Sequence, residues 1–220
     1  MKPLVLAVDT THEYGSLALA RGVAILEEVS LHAPAGFAHV IYAELAALLE
    51  RQGVQVDEVE CFAAASGPGS FTGVRVGLAC IKGLAEATGR KALGVSNLRA
   101  LAEFGTAPLR AVLLDARREE IYGAVYDAAG RQVTPETVAP LAAWLATLPE
   151  AELEFVCLDY EPRLEGTRFA ASRVTEAPRA LAAAIARIAA ACYERGEACD
   201  PAAIDANYVR RSDAELFWRE

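Results

Sequence analysis

The chain has 220 residues, 54% of them hydrophobic, and 21 Lys and Arg stand against 30 Asp and Glu for a formal net charge of −9. That length holds one sizeable domain or two small ones, and no apolar run approaches the roughly 20 residues of a membrane span. A protein that grips nucleic acid alone shows a basic stripe. Here the only basic doublets, Arg117-Arg118 and Arg210-Arg211, have acidic neighbours, so any RNA substrate must be held mostly by a partner.

The opening Met1-Lys2-Pro3 lacks the long apolar region of a signal peptide. Leu4 to Val8 reads as a buried strand ending at Asp9-Thr10-Thr11, Ser16 to Ala20 as a second and Ala24 to Leu31 as a third. Phe37 to Arg51 carries Val40, Ile41, Leu45, Leu48 and Leu49 on a helical stripe closed by Gly53. Cys61 to Ala65 is an apolar strand, and Val74 to Ala87 a long apolar helix. Lys91 to Val95 is another strand, with Ser96 or Asn97 placed to cap a helix ending near Gly105.

The second half repeats this order less cleanly. Leu109 to Asp115, Glu120 to Tyr126 and Gln132 to Val138 read as strands, Leu141 to Leu148 as a short helix, Phe155 to Leu158 as a strand and Arg179 to Arg195 as an alanine-rich helix. Two tandem βββαβα units point to the α/β, ribonuclease H-like fold of the actin, sugar kinase and Hsp70 superfamily (ASKHA), with the second unit trimmed. The expected division is 1–105 and 106–220, the last residues able to pack back on the first unit. Of 16 glycines, 12 lie at or before Gly105, which puts most tight turns in the first unit.

Between strand and long helix lies Ser66-Gly67-Pro68-Gly69-Ser70-Phe71-Thr72-Gly73-Val74-Arg75-Val76-Gly77. Gly67, Pro68 and Gly69 make a turn, and Ser70 or Thr72 can cap the helix. A glycine turn before a capped helix is a candidate anion site. The spacing matches neither Gly-x-x-x-x-Gly-Lys-Ser/Thr nor Gly-x-Gly-x-x-Gly, so close helix packing competes with phosphate binding. The helix is apolar on two faces, Val74, Leu78, Ile81 and Ala85 on one and Gly73, Gly77, Cys80 and Leu84 on another, and must be covered on more than one side. Arg75, a cation in its first turn, calls for a partner or solvation.

In this superfamily each unit opens with a strand, an Asp near its end and a glycine-bearing hairpin that holds phosphate or metal. Asp9 fits the first unit, where capping of its own turn is the competing role. Asp115 is followed by Ala116-Arg117-Arg118-Glu119, whose bulk keeps phosphate from the backbone. No glycine-rich adenosine loop follows Gly130. A vestigial ligand site would comprise Asp9, Thr10, Thr11, Ser66, Gly67, Gly69 and Ser70. His12, His32 and His39 stand at no metal spacing, and Ser70 lacks a nucleophile elbow. Cys61, Cys80, Cys157, Cys192 and Cys199 form no Cys-x-x-Cys pair and read as reduced thiols of a cytoplasmic protein.

The Ser66–Gly77 run resembles the signature of the TsaB (YeaZ-like) family of tRNA threonylcarbamoyladenosine biosynthesis proteins. The likeness extends to Leu6-Ala7-Val8-Asp9-Thr10, Gly94-Val95-Ser96-Asn97-Leu98, Asp115-Ala116-Arg117, Glu120-Ile121-Tyr122 and Tyr208-Val209-Arg210. His39-Val40 departs from the His-Ser pair usual in the family. The resemblance implies a non-catalytic subunit, without cofactor or metal, that supports the catalytic subunit TsaD together with the ATPase TsaE. These modify the adenosine beside the anticodon of tRNAs reading ANN codons, and tRNA would be met only through the complex. The expected partner surface, for TsaD or for a homodimer of the isolated chain, comprises Val40, Ile41, Glu44, Leu45, Leu48, Phe71, Thr72, Gly73, Arg75, Val76, Gly77, Cys80 and Leu84. The alternatives are an ATPase or small-molecule kinase of the superfamily, and a peptidase-like protein.

Overall fold

A computed structural model describes residues 2–210. Its contacts divide the chain into two compact units, the first made of residues 2–97 with Arg179–Asn207 and the second of Leu98–Pro178 with the described residues from Tyr208. The sequence reading instead divides the chain once, at residue 105.

Unit 1 is built on β1 (Leu4–Asp9), β2 (Tyr14–Arg21), β3 (Ala24–His32), β4 (Cys61–Gly67) and β5 (Lys91–Ser96), in the sheet order β3-β2-β1-β4-β5. The first three are antiparallel neighbours, while β4 and β5 run parallel to β1. Unit 2 repeats the plan with β6 (Leu109–Arg117), β7 (Glu120–Asp127), β8 (Thr137–Pro140), β9 (Glu154–Leu158) and β10 (Val174–Glu176). Read from one edge, its order is β8-β7-β6-β9-β10, with the same strand senses. This is the duplicated α/β fold expected from the sequence.

In unit 1 the period-2 alternation sorts side chains onto two faces. Leu4, Leu6, Val8, Leu17, Leu19 and Phe62 join one core with Ile41, Leu45 and Leu48 of α1 (Ile41–Arg51) and Val74, Leu78 and Ile81 of α2 (Phe71–Thr88). The opposite face is set with small buried residues, among them Ala7, Ala18, Ala63 and Ala65. It takes the alanine-rich α5 (Ala182–Glu194), which packs on β1 to β5. Small side chains on both surfaces let helix and sheet approach closely. The sheet also caps that helix: Leu181 and Ala182 N–H donate to Ser16 Oγ at 3.1 and 3.0 Å, and Ala183 N–H to Glu28 Oε1 at 2.7 Å. Burial pushes the Glu28 carboxyl above its ordinary range despite that bond.

Other sequence-predicted elements shift. The helix expected over Phe37 to Arg51 is a 3₁₀ turn, Phe37–His39, followed by α1. The strand expected over Gln132 to Val138 contracts to β8, with Gln132 bridging Tyr126. Asn97 opens α3 (Asn97–Ala102), but its side chain is used elsewhere. α4 (Leu141–Thr147) buries Trp144 against Phe155, and β10 lies beyond the elements read from sequence. No helix among the described residues is long and apolar enough to cross a membrane.

Candidate functional site

The carboxyl ends of β1, β4 and β5 are where a sheet of this kind presents a ligand crevice. Asp9, Thr10 and Thr11 stand there, all buried. Asp9 Oδ1 accepts from Thr11 N–H at 2.9 Å and from Thr11 Oγ1 at 2.6 Å, so Asp9 caps its own turn. Asp9 Oδ2 is buried with no hydrogen-bond partner among the described residues. Asn97 ties three strands together: its Nδ2 donates to Thr11 Oγ1 at 2.7 Å, and its Oδ1 accepts from Gly67 N–H at 3.0 Å.

The glycine turn fits onto this corner backbone to backbone. A Cβ at Gly69 would lie 2.7 Å from Thr11 O, and one at Gly77 2.8 Å from Thr10 Oγ1. Thr10 Oγ1 donates to Gly73 O at 2.7 Å. Ser70, not Thr72, caps α2, accepting from Gly73 N–H at 3.3 Å, and Ser70 N–H itself donates to Thr11 O at 2.7 Å. Asn207 N–H donates to Ser66 O at 2.7 Å, and Asn207 O stands 3.1 Å from where a Gly67 Cβ would be. The amides that would cradle a phosphate are therefore engaged: Gly67 by Asn97, Ser70 by Thr11 and Gly73 by the Ser70 hydroxyl. A phosphate bound there would have to displace these bonds.

At the matching corner of unit 2, Asp115 Oδ1 accepts from Arg117 N–H at 2.7 Å. Arg117, Arg118 and Glu119 have φ of 64°, 56° and 62°, a left-handed run without glycine. Arg210, the last residue of Tyr208-Val209-Arg210, meets the same hairpin. Arg210 donates to Ala116 O at 2.9 Å and to Glu120, and its guanidinium lies 5.7 Å from the Tyr122 ring. Segments separated in sequence but quoted together for the family resemblance thus share one corner.

The expected partner surface divides sharply. Ile41, Leu45, Leu48 and Cys80 are 0–3% exposed and belong to the unit 1 core, and Gly73 and Gly77 are buried against Thr10. None of these six offers a surface to a partner, because the apolar stripes that marked them are the stripes that fold the unit. Val40, Glu44, Val76 and Leu84 are half-buried, and Phe71, Thr72 and Arg75 are exposed. The Arg75 guanidinium stacks on the Phe71 ring at 3.6 Å, a favourable contact for a cation placed at a helix start.

The exposed residues of these helices lie between the stripes. On α2 the exposed positions Phe71, Arg75, Ala79 and Gly83 recur every four residues, and on α1 Tyr42, Ala43 and Ala46 are exposed, Tyr42 at 58%. A Cβ at Gly83 would meet nothing within 4 Å. Glycine inside a helix costs about 1 kcal/mol relative to alanine, and no contact within the unit requires it there. The two helices thus expose small residues between two aromatics. Beneath it, burial pushes the Cys80 thiol up to about 11 even though the Tyr42 phenol reaches it.

Burial raises the other shifted thiols too, Cys61 to about 12 and Cys157 to about 11, values suited to inert core groups. No cluster of His, Cys, Asp and Glu among the described residues has metal-holding geometry.

The chain and its fold have known relatives. The family model for TsaD, tRNA N6-adenosine threonylcarbamoyltransferase, matches residues 32–198. The TsaB protein of Bacillus subtilis is 27% identical over 98% of both chains. That of Haemophilus influenzae is 35% identical over 54% of this chain and 51% of its own. The chain belongs to the TsaB/YeaZ group of the TsaD family. The solved structure of YeaZ from Pseudomonas aeruginosa, 26% identical, superposes over 94% of this chain and 99% of its own with a TM-score of 0.78. A second Pseudomonas aeruginosa structure, described as an uncharacterized protein with similarity to peptidase YEAZ, is 25% identical, with a TM-score of 0.77 over 94% of this chain and 100% of its own. Both likenesses accord with the ASKHA architecture described above.

Proposed function

We propose that the chain is a non-catalytic subunit of tRNA threonylcarbamoyladenosine biosynthesis. It docks a TsaD-type catalytic subunit through the exposed face of α1 and α2 and works with a TsaE-type ATPase. The observation that carries this reading is the surface of Ala43, Ala46, Ala79 and Gly83 flanked by Tyr42 and Phe71. Small side chains bring a second helix within backbone reach, and flanking aromatics supply the area that anchors an interface. The same face serves a homodimer when the catalytic subunit is absent. Family membership supports the pathway, and the engaged amides around Gly67, Ser70 and Gly73 support a role without phosphoryl chemistry. A net charge of −9 fits a subunit that meets tRNA only within the assembly.

The test is reconstitution from purified subunits. The expected result is no threonylcarbamoyladenosine from this chain alone, and formation by the TsaD-type and TsaE-type proteins that depends on adding it. Full activity without the chain would overturn the reading.

Asp9 Oδ2, buried and unpartnered, favours a second reading, a small ligand or nucleotide held with magnesium at that corner. Calorimetric titration of ATP and magnesium into the isolated chain separates the two. Saturable binding at millimolar or tighter affinity would favour a kinase or ATPase.

A further inference from the structure

Unit 2 carries a groove of about 540 Å³ that no step of the proposed function uses, a volume within the range of small-molecule pockets. Leu141, Leu145 and Phe169 give it an apolar floor, with the small Ala142 and Ala146 of α4 beside them. Arg163, Thr167 and Arg168 complete the lining, which thus holds two guanidinium groups and no carboxylate.

Most polar groups on the loop side are already engaged. Thr167 donates to Leu164 O through its N–H at 3.1 Å and its hydroxyl at 2.7 Å, and that hydroxyl accepts from Phe169 N–H at 3.1 Å. Arg168 donates to Leu148 O at 2.5 Å, pairs with Glu150 at 3.8 Å and lies over the Phe169 ring at 4.7 Å. Arg163 is exposed, with no hydrogen bond or ion pair among the described residues. The groove therefore offers an occupant apolar surface and one available cation. An extended peptide would need a row of main-chain partners. A helix on one side, and a loop whose Thr167 and Phe169 amides are paired on the other, supply no such row. An apolar body with a single anionic head needs only what is present.

We propose that this groove binds a small monocarboxylate with an apolar body, which lies on Leu141, Leu145 and Phe169 while its head pairs with Arg163. Charge complementarity selects the acid over a neutral or cationic amphiphile.

Titration of the full chain with hexanoate, heptanoate, octanoate and octanol, all below micellar concentrations and followed by NMR chemical shifts, tests it. The expected result is saturable binding of octanoate at about millimolar affinity or tighter, with shifts centred on Leu141, Leu145 and Phe169. Affinity should tighten about fourfold with each added methylene. Arg163→Ala should weaken octanoate about fivefold and leave octanol unchanged, while Ala142→Phe, which fills the groove, should abolish both. Both positions are exposed, so neither substitution threatens the fold. No saturable shift with octanoate overturns the proposal, as do shifts that saturate on another part of the chain. An octanoate affinity indifferent to Arg163→Ala or to Ala142→Phe also overturns it.

Discussion

A Cβ at Gly73 would stand 1.9 Å from the carbonyl oxygen of Thr10, whose hydroxyl donates to Gly73 O at 2.7 Å. The first turn of α2 and the β1–β2 corner are thus one packed joint. Gly73→Ala should cost about 3 kcal/mol or more, since two backbones must separate. Chemical denaturation measures it, and a loss under 1 kcal/mol would mean the joint is looser than described.

Asn97 is fully buried and serves both Thr11 and Gly67. Asn97→Ala leaves a buried amide and a buried hydroxyl short of a partner, a loss on the order of 3 kcal/mol. Asn97→Asp should also destabilise, because a carboxylate cannot donate to Thr11 Oγ1 as the amide does. Equilibrium unfolding of the two variants beside wild type checks both statements.

Gly83 behaves in the opposite way. With open space around its Cβ position and a place in the helix interior, Gly83→Ala should raise the stability of the isolated chain by about 1 kcal/mol. Thermal melts at protein concentrations low enough to keep the chain monomeric are the measurement. A destabilisation would show that something within the chain occupies that space.

The stability of unit 2 should depend on Glu154, which is 2% exposed. Burial pushes its carboxyl up, but Thr175, the Ala107 and Thr106 amides and Arg173 together hold it below the usual range. Thr106 and Ala107 N–H donate to Oε2 at 2.6 and 2.7 Å, and Thr175 Oγ1 to Oε1 at 2.6 Å. A carboxyl depressed in the folded state contributes stability above its unfolded pKa and loses it as pH falls through the folded one. Stability should therefore decline on acidification from the ordinary glutamate value of 4.5 downward. Glu154→Gln should cost on the order of 3 kcal/mol at pH 7 and flatten that decline. Denaturant titrations at several pH values read both effects.

Much of the fold was legible in the residues themselves. The runs at Leu4, Cys61 and Leu109 are apolar enough to mark central strands, and Ser70 before a long apolar stretch marks a helix start. β10 is three residues without period and could not be read. α5 was recognised as a helix, but its alanines do not say which sheet they cover; the small residues Ala7, Ala18, Ala63 and Ala65 on unit 1 decide that. The corner around Asp9 was legible as a motif, whereas the engagement of its amides by Thr11 and Asn97 is a tertiary fact. The partner surface expected from the sequence includes buried residues for a physical reason. Apolarity at helical spacing marked Ile41, Leu45, Leu48 and Cys80, and such spacing points first to the chain's own core. Gly77, buried against Thr10, is likewise a folding residue, so an arginine there would disrupt the unit before it reported on any partner.

The measurement that bears most directly on the proposed role is the affinity of this chain for its TsaD-type subunit, wild type beside Ala79→Arg and Gly83→Arg. Both sites are exposed, so neither arginine should destabilise the isolated monomer, and Gly83→Arg should melt somewhat above wild type. The expected result is a stable wild-type complex that either arginine weakens by about 100-fold or more, near 2.7 kcal/mol. Variants that bind as tightly as wild type would contradict docking through this face, and a wild type that does not bind would contradict the subunit role itself.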